Sequence, residues 1–193
     1  MGWDTAGRRK LLLEAATGHF AEHGLAGARV DAIAAAAGVN KQRIYQYFGD
    51  KDALFAEVMR QAMENTIGAA ELSGSGPEAL VRYAARLFDT YAAHPDLARL
   101  LAWEALERRA PIAFDDRVAA WTQKTAALRA ALPHLDDESA RHLLLSTFTL
   151  VTGWWSLRQL QAVLLPGACG DHPRREELLD QIRRLAQPEH GEV

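Results

Sequence analysis

The chain has 193 residues, 49% of them hydrophobic and 24% charged, and a net charge of −3. That is enough for one medium domain or a small one attached to a larger, which argues against disorder, and a single cysteine, Cys169, excludes an intrachain disulfide framework while suiting a reducing cytosol. The charge is uneven: residues 1–51 hold seven Lys or Arg against five Asp or Glu and residues 52–193 hold fifteen against twenty, a mildly basic head on an acidic body.

The N-terminal stretch has only three consecutive leucines before Glu14, too short an apolar run for an export signal. Helical spacing of Leu12, Leu13, Ala16 and Phe20 predicts a first helix from about Thr5 to His23, stopped by Gly24 as a left-handed cap. Within it, His19-Phe20-Ala21-Glu22-His23 fits the H-x-x-E-H pattern of one class of zinc peptidases. Two histidines four residues apart do share a helix face. The helix ends one residue later and no third ligand is evident, so both are read as surface residues and no metal is assigned.

Residues 28–51 read ARVDAIAAAAGVNKQRIYQYFGDK. Two short helical patterns, the first over about 30–37, are joined by Gly38-Val39-Asn40, the layout of a helix-turn-helix. Ile44 and Phe48 stand one turn apart and define an inward face that packs on Ile33 and Val39. Gln42, Arg43 and Gln46 then point away from the core. In the major groove Gln can bond adenine and Arg guanine in a bidentate way, which makes these three the candidate base readers. Lys41, Tyr45 and Tyr47 lie on the flanks, where side chains reach the sugar-phosphate walls, and Lys51 adds a phosphate partner just past the turn. The competing reading is a solvated surface helix; large exposed aromatics beside Lys and Arg argue against it.

The run VDAIAAAAGVNKQRIYQYFGDK resembles the pattern V-x-x-I-A-x-x-A-G-V-S-x-x-x-I/L-Y-x-Y-F-x-x-K of the tetracycline-repressor (TetR/AcrR) family of transcriptional regulators, and the likeness covers residues 8 to about 60. Asn40 stands where Ser is common. Ala28-Arg29 stands where the family favours a Thr or Ser that caps the second helix and touches a backbone phosphate; Arg29 can reach a phosphate but cannot cap as a hydroxyl does. The resemblance implies an all-α protein, with an N-terminal three-helix helix-turn-helix DNA-binding domain over residues 1–50 and a C-terminal helical effector-binding and dimerisation domain over residues 51–193. It implies a cytoplasmic homodimer on a palindromic double-stranded operator, with a small-molecule effector bound in the body.

A longer helix is expected from Asp50, with Leu54, Phe55, Val58, Met59, Met63 and Ile67 inward, ending near Ser73-Gly74-Ser75-Gly76. Proline and glycine then punctuate further helices without any alternating strand pattern. Pro77 and Pro95 open two, Pro111 and Pro133 bracket a third, and Asp136, Asp137 and Glu138 supply negative charge to the start of a long one running to about Leu165. Pro173 opens the last. The uncharged stretch Leu143 to Leu157 falls short of the roughly 20 apolar residues a membrane helix needs.

Aromatic residues concentrate in this body. Trp103, Trp121, Phe148 and Trp155, with the polar residues Glu104 and His142, are the candidate ligand-binding set, each with plain core as the competing reading. One head making about six contacts binds weakly at physiological salt, whereas two heads about 34–36 Å apart engage successive major grooves, so a dimer is expected, through helices 137–165 and 174–187. No phosphate-binding glycine loop and no G-x-S-x-G elbow is present, so neither an enzyme nor a cofactor is expected. The reading is a repressor that releases its operator when a small apolar effector binds; its rivals are an activator or ligand-independent factor, and a small-molecule-binding protein or enzyme in which the motif is incidental.

Overall fold

The computed structural model describes residues 5–68, 70–167 and 170–187; Cys169 and the tail from Pro188 lie outside them, as does the side chain of Ile67. The described residues form helices and no strand: α1 Thr5–Gly27, α2 Val30–Ala36, α3 Lys41–Phe48, α4 Lys51–Met63, α5 Pro77–Ala93, α6 Asp96–Glu107, α7 Phe114–Ala131, α8 Asp137–Ser156, α9 Arg158–Leu164 and α10 Asp171–Leu185, with a π-helical turn at Glu64–Gly68 after α4. None is long and apolar enough to cross a membrane.

By compactness the chain divides elsewhere than at residue 50. One unit takes in the chain up to Asn65 together with Pro95–Phe114, and the other takes in Thr66–His94 and Asp115–Val193. The first therefore holds α4 and α6 as well as the three expected helices.

Its core is the inward stripe of α1 (Leu12, Leu13, Ala16, Phe20) meeting Ile33 of α2, Ile44 of α3, and Leu54, Phe55, Val58 and Met59 of α4. Phe20 and Phe55 pack edge to face at 5.0 Å, the arrangement ring quadrupoles favour. The helix α6 closes the unit against α1, burying Leu97, Ala98 and Leu100.

Gly24 does break α1, at φ 69 and ψ −178, but the chain resumes helix for another turn to Gly27. The reason comes from far along the sequence. The Glu107 carboxylate accepts from the backbone N–H of Leu25 at 2.5 Å and of Ala26 at 3.2 Å, capping a helical turn that has no cap of its own. Arg99 and Trp103 donate to the carbonyls of Glu22 and Ala21, at 3.5 and 3.2 Å, and Arg108 pairs with Asp52 at 3.3 Å, so α6 is fastened along its length.

The second unit is built on α5, whose buried face runs Leu80, Tyr83, Leu87, Phe88, Tyr91 and packs on α8 and α10. Ion pairs Arg175–Asp89 at 2.7 Å and Arg183–Glu78 at 2.6 Å flank that seam. The helix expected to run to Leu165 is broken at Leu157, whose φ −111 and ψ 42 end α8 and precede α9. Trp155 is the last buried residue before the break, and α9 buries none, so no core contact within the unit holds the chain to one axis.

Asp136 caps α8, its carboxylate accepting from Ser139 N–H at 2.7 Å, and the bonds from Ser139 hold it below the usual carboxylate range. A folded-state pKa lowered in this way gives stability that is present above the unfolded value and lost as pH falls through the folded one. The gap in melting temperature between the parent and Asp136→Ala is therefore expected to narrow as pH is taken from roughly 5 to roughly 2. A constant gap would remove the charged cap as its cause.

Candidate nucleic-acid interface and aromatic cluster

The turn between α2 and α3 is set by backbone geometry. Gly38, at φ 64, lets its own N–H reach Ala35 O at 3.1 Å and the Val39 N–H reach Ala34 O at 3.0 Å, the paired bonds of a Schellman ending. Asn40 then caps α3 by accepting from Gln42 N–H at 3.0 Å, so the amide that replaces the usual Ser does the same work. Ile44 is the single buried residue of α3.

With Ile44 fixed inward, Gln42 and Gln46 lie about 160–200° away around the helix and are exposed, as are Lys41 and Tyr45. Arg43 sits differently: it is half-buried and shares the flank of α3 with Tyr47, not the outermost ridge with the two glutamines. Tyr47 stands edge to face with Phe48, and Arg9 of α1 lies over the Phe48 ring at 5.3 Å, so that inward flank is a packed seam.

The flanking cations are more committed than their exposure in sequence implied. Lys41 pairs with Asp31 of α2 at 2.9 Å, and the hydrogen bond from Asp31 raises its pKa. Lys51 is a correction. Its ammonium lies 3.2 Å from both the Ala26 and Ala28 carbonyls, acceptors left without helical donors where α1 gives way to α2, so it ties the unit together instead of reaching outward. Arg29 is exposed at the N-cap of α2 and makes no capping bond, as the departure from Ser or Thr predicts. The rings of His19 and His23 lie 6.1 Å apart, and the described residues contain no group of three metal-ligating side chains.

The proposed ligand set does not assemble as one site. Trp103 and Glu104 belong to the first unit, where Trp103 bonds Ala21 and the buried Glu104 accepts from Ile112 N–H at 2.8 Å. His142 is 72% exposed beside Glu138, on the outer face of α8. The other three do meet: Trp121 packs edge to face on Phe148 at 5.4 Å, and Tyr91 lies against Phe148 at 6.3 Å and stacks on Trp155 at 5.6 Å. The sequence reading missed what these rings surround. The hydroxyls of Tyr83 and Tyr91 are buried without a hydrogen-bond partner, and burial pushes both pKa values far up. Two cations of α7 stand next to them, since Lys124 lies over the Tyr83 ring at 5.2 Å and Arg117 is close enough to lower the Tyr91 pKa. The signal was available in the spacing: 117, 121 and 124 recur on one helical face.

Comparison with known proteins places this geometry. Residues 12–58 match the profile described as bacterial regulatory proteins, tetR family, and residues 79–184 match the tetracyclin repressor-like C-terminal domain. The chain is 43% identical over 104 residues to the HTH-type transcriptional repressor SCO4008 of Streptomyces coelicolor, covering 54% of this chain and 53% of that one. It is 29% identical over 150 residues to the HTH-type transcriptional regulator RutR of Escherichia coli, covering 76% and 61%. The chain thus spans between about half and three fifths of the length of these relatives. Among solved structures it is similar to SCO4942 of Streptomyces coelicolor, described as a candidate transcriptional regulator, with a TM-score of 0.78, 33% identity, and 92% of this chain and 97% of that one covered. Two family profiles in tandem, a relative matched over nearly its whole length, and a capped helix-turn-helix with its polar face outward make the chain a member of the tetR family of bacterial regulatory proteins.

Proposed function

We propose that the chain is a cytoplasmic, DNA-binding transcriptional repressor that acts as a homodimer on a palindromic operator and releases it when a small apolar effector binds the second unit. The observation that carries this is the presentation of α3. One buried anchor, one side-chain cap and a Schellman turn hold an eight-residue helix so that Gln42, Tyr45 and Gln46 face outward, the form a major-groove reader takes.

A dimer is favoured by an apolar row the second unit leaves uncovered. Leu145 of α8 and Leu160, Val163 and Leu164 of α9 are exposed, Val163 by 74%. Contiguous apolar surface of this kind marks an interaction site. It coincides with one of the two expected partner segments, 137–165.

The test is selection of bound sites from a random duplex pool, followed by Gln46→Ala measured on the selected operator. Loss of a bidentate adenine contact is worth about 1–3 kcal/mol, so affinity should fall roughly 5- to 150-fold, with preference relaxed at one base pair of each half-site and the melting temperature unchanged. A uniform loss across all sequences would make Gln46 a backbone contact, and an unenriched pool from folded protein would end the repressor reading.

A further inference from the structure

Within the second unit, α7 is the helix that stands off. Its backbone runs close to no other helix along its length, with Cα separations staying for the most part beyond 8 Å, where packed helices lie about 8–10 Å apart axis to axis. Its C-terminal half is held in place: Thr125, Leu128 and Ala131 are buried, and the Ala131 carbonyl accepts from Gly76 N–H at 2.9 Å. Its N-terminal half buries nothing completely, and Phe114 and Val118 are exposed. Long side chains bridge the gap to α5 and α8 instead.

Those side chains form two rungs. Lys124 faces Tyr83 and Arg117 faces Tyr91, seven residues apart on α7 and eight on α5, so the rungs are about 11–12 Å apart at 1.5 Å per residue. Trp121 falls between them and reaches Phe148. Both tyrosines are fully buried and both hydroxyls lack a protein partner, which costs about 1–3 kcal/mol for each such group left unmet. The Lys124 ammonium is half-buried, with one hydrogen bond, to Ala70 O at 2.6 Å, and desolvation lowers its pKa. Hydroxyl donors and desolvated cations facing one apolar gap are complementary to an anion, and the rings around them to an apolar body.

We propose that the effector of this unit is a weak organic acid with an aromatic or otherwise apolar body, its carboxylate received by the Tyr83 and Tyr91 hydroxyls beside Lys124 and Arg117 and its body lying against Trp121 and Phe148. This rests on reading the second unit as the effector-binding part of a repressor, and it adds the charge and shape of the ligand. A neutral or cationic molecule would leave the two cations uncompensated in the site.

The experiment is a melting-temperature and tryptophan-fluorescence screen of the full chain against matched series: apolar carboxylic acids such as 2-naphthoate, their neutral amides such as 2-naphthamide, and the corresponding amines. The result expected is binding by acids at least tenfold tighter than by their amides. Tyr91→Phe should weaken the acid about tenfold while leaving the melting temperature of the unliganded protein equal or higher, because it removes an unmet hydroxyl. Lys124→Gln should erase the preference for acid over amide. A lower melting temperature for unliganded Tyr91→Phe would show that its hydroxyl serves the fold and would overturn the site. Hits confined to neutral or basic members would overturn the anionic class and leave the effector reading standing; no hit in any series would overturn both.

Discussion

Replacing Gly24 by valine is expected to unfold the first unit under conditions where the parent is stable. The position combines two penalties. Its φ of 69 with ψ −178 lies in a region open almost only to glycine, at about 1–3 kcal/mol for another residue. A Cβ there would also meet Glu107 Oε1 and the Trp103 ring at 2.7 Å, and overpacking of that sort costs about 1–3 kcal/mol more. The sum, about 4 kcal/mol, is a large fraction of the stability of an ordinary domain. Denaturant unfolding followed at Trp103 would measure it. An effect below 1 kcal/mol would mean that the backbone at this bend relaxes freely and that the Glu107 cap is dispensable.

Ile44→Ala is the second large effect. A buried isoleucine truncated to alanine loses about 2–5 kcal/mol, and here it is the one side chain α3 buries. A helix of eight residues has little intrinsic stability, so its order comes from that anchor and its caps. Operator binding should fall by more than for Gln46→Ala, and through a different route: hydrogen exchange of α3 amides should rise, whereas Gln46→Ala should leave it unchanged. The aromatic cluster of the second unit reports separately. If its near-ultraviolet signal fell along with operator binding, the change would be one of whole-chain stability and not of the reading helix.

The contrast shows what a sequence reveals about such a site. Ile44 opposite Gln42 and Gln46 follows from 3.6-residue periodicity, and Asn40 and Asp50 announce the starts of α3 and α4 because capping is a matter of neighbours. Contacts that join distant stretches carry no such mark. Nothing near Lys51 shows that the Ala26 and Ala28 carbonyls lack donors, nor does anything near Gly24 show that Glu107, more than eighty residues on, will cap the turn after it. The ligand set failed for a related reason. Burial of polar residues is decided by what packs over them, so Glu104 and His142, alike in apolar surroundings on paper, separate into a buried acceptor and an exposed side chain. The aromatic half of that set fared better, since rings at helical spacing on α5, α7 and α8 have to meet something large.

The discontinuity of the first unit has a consequence during synthesis. Its last wall, α6, is translated after α5, so a ribosome must deliver 114 residues before the reading head can close. Meanwhile α5 emerges with Tyr83, Leu87, Phe88 and Tyr91 uncovered, and its partner α10 follows almost ninety residues later, roughly 4–18 s at bacterial elongation rates. The nascent chain thus carries two unfinished cores at once, and α5 is the segment a holdase would meet. Protease treatment of chains arrested at successive lengths would time the closure: α1 should become resistant only once residue 114 has cleared the exit tunnel, and resistance at residue 65 would show that the head is complete without α6.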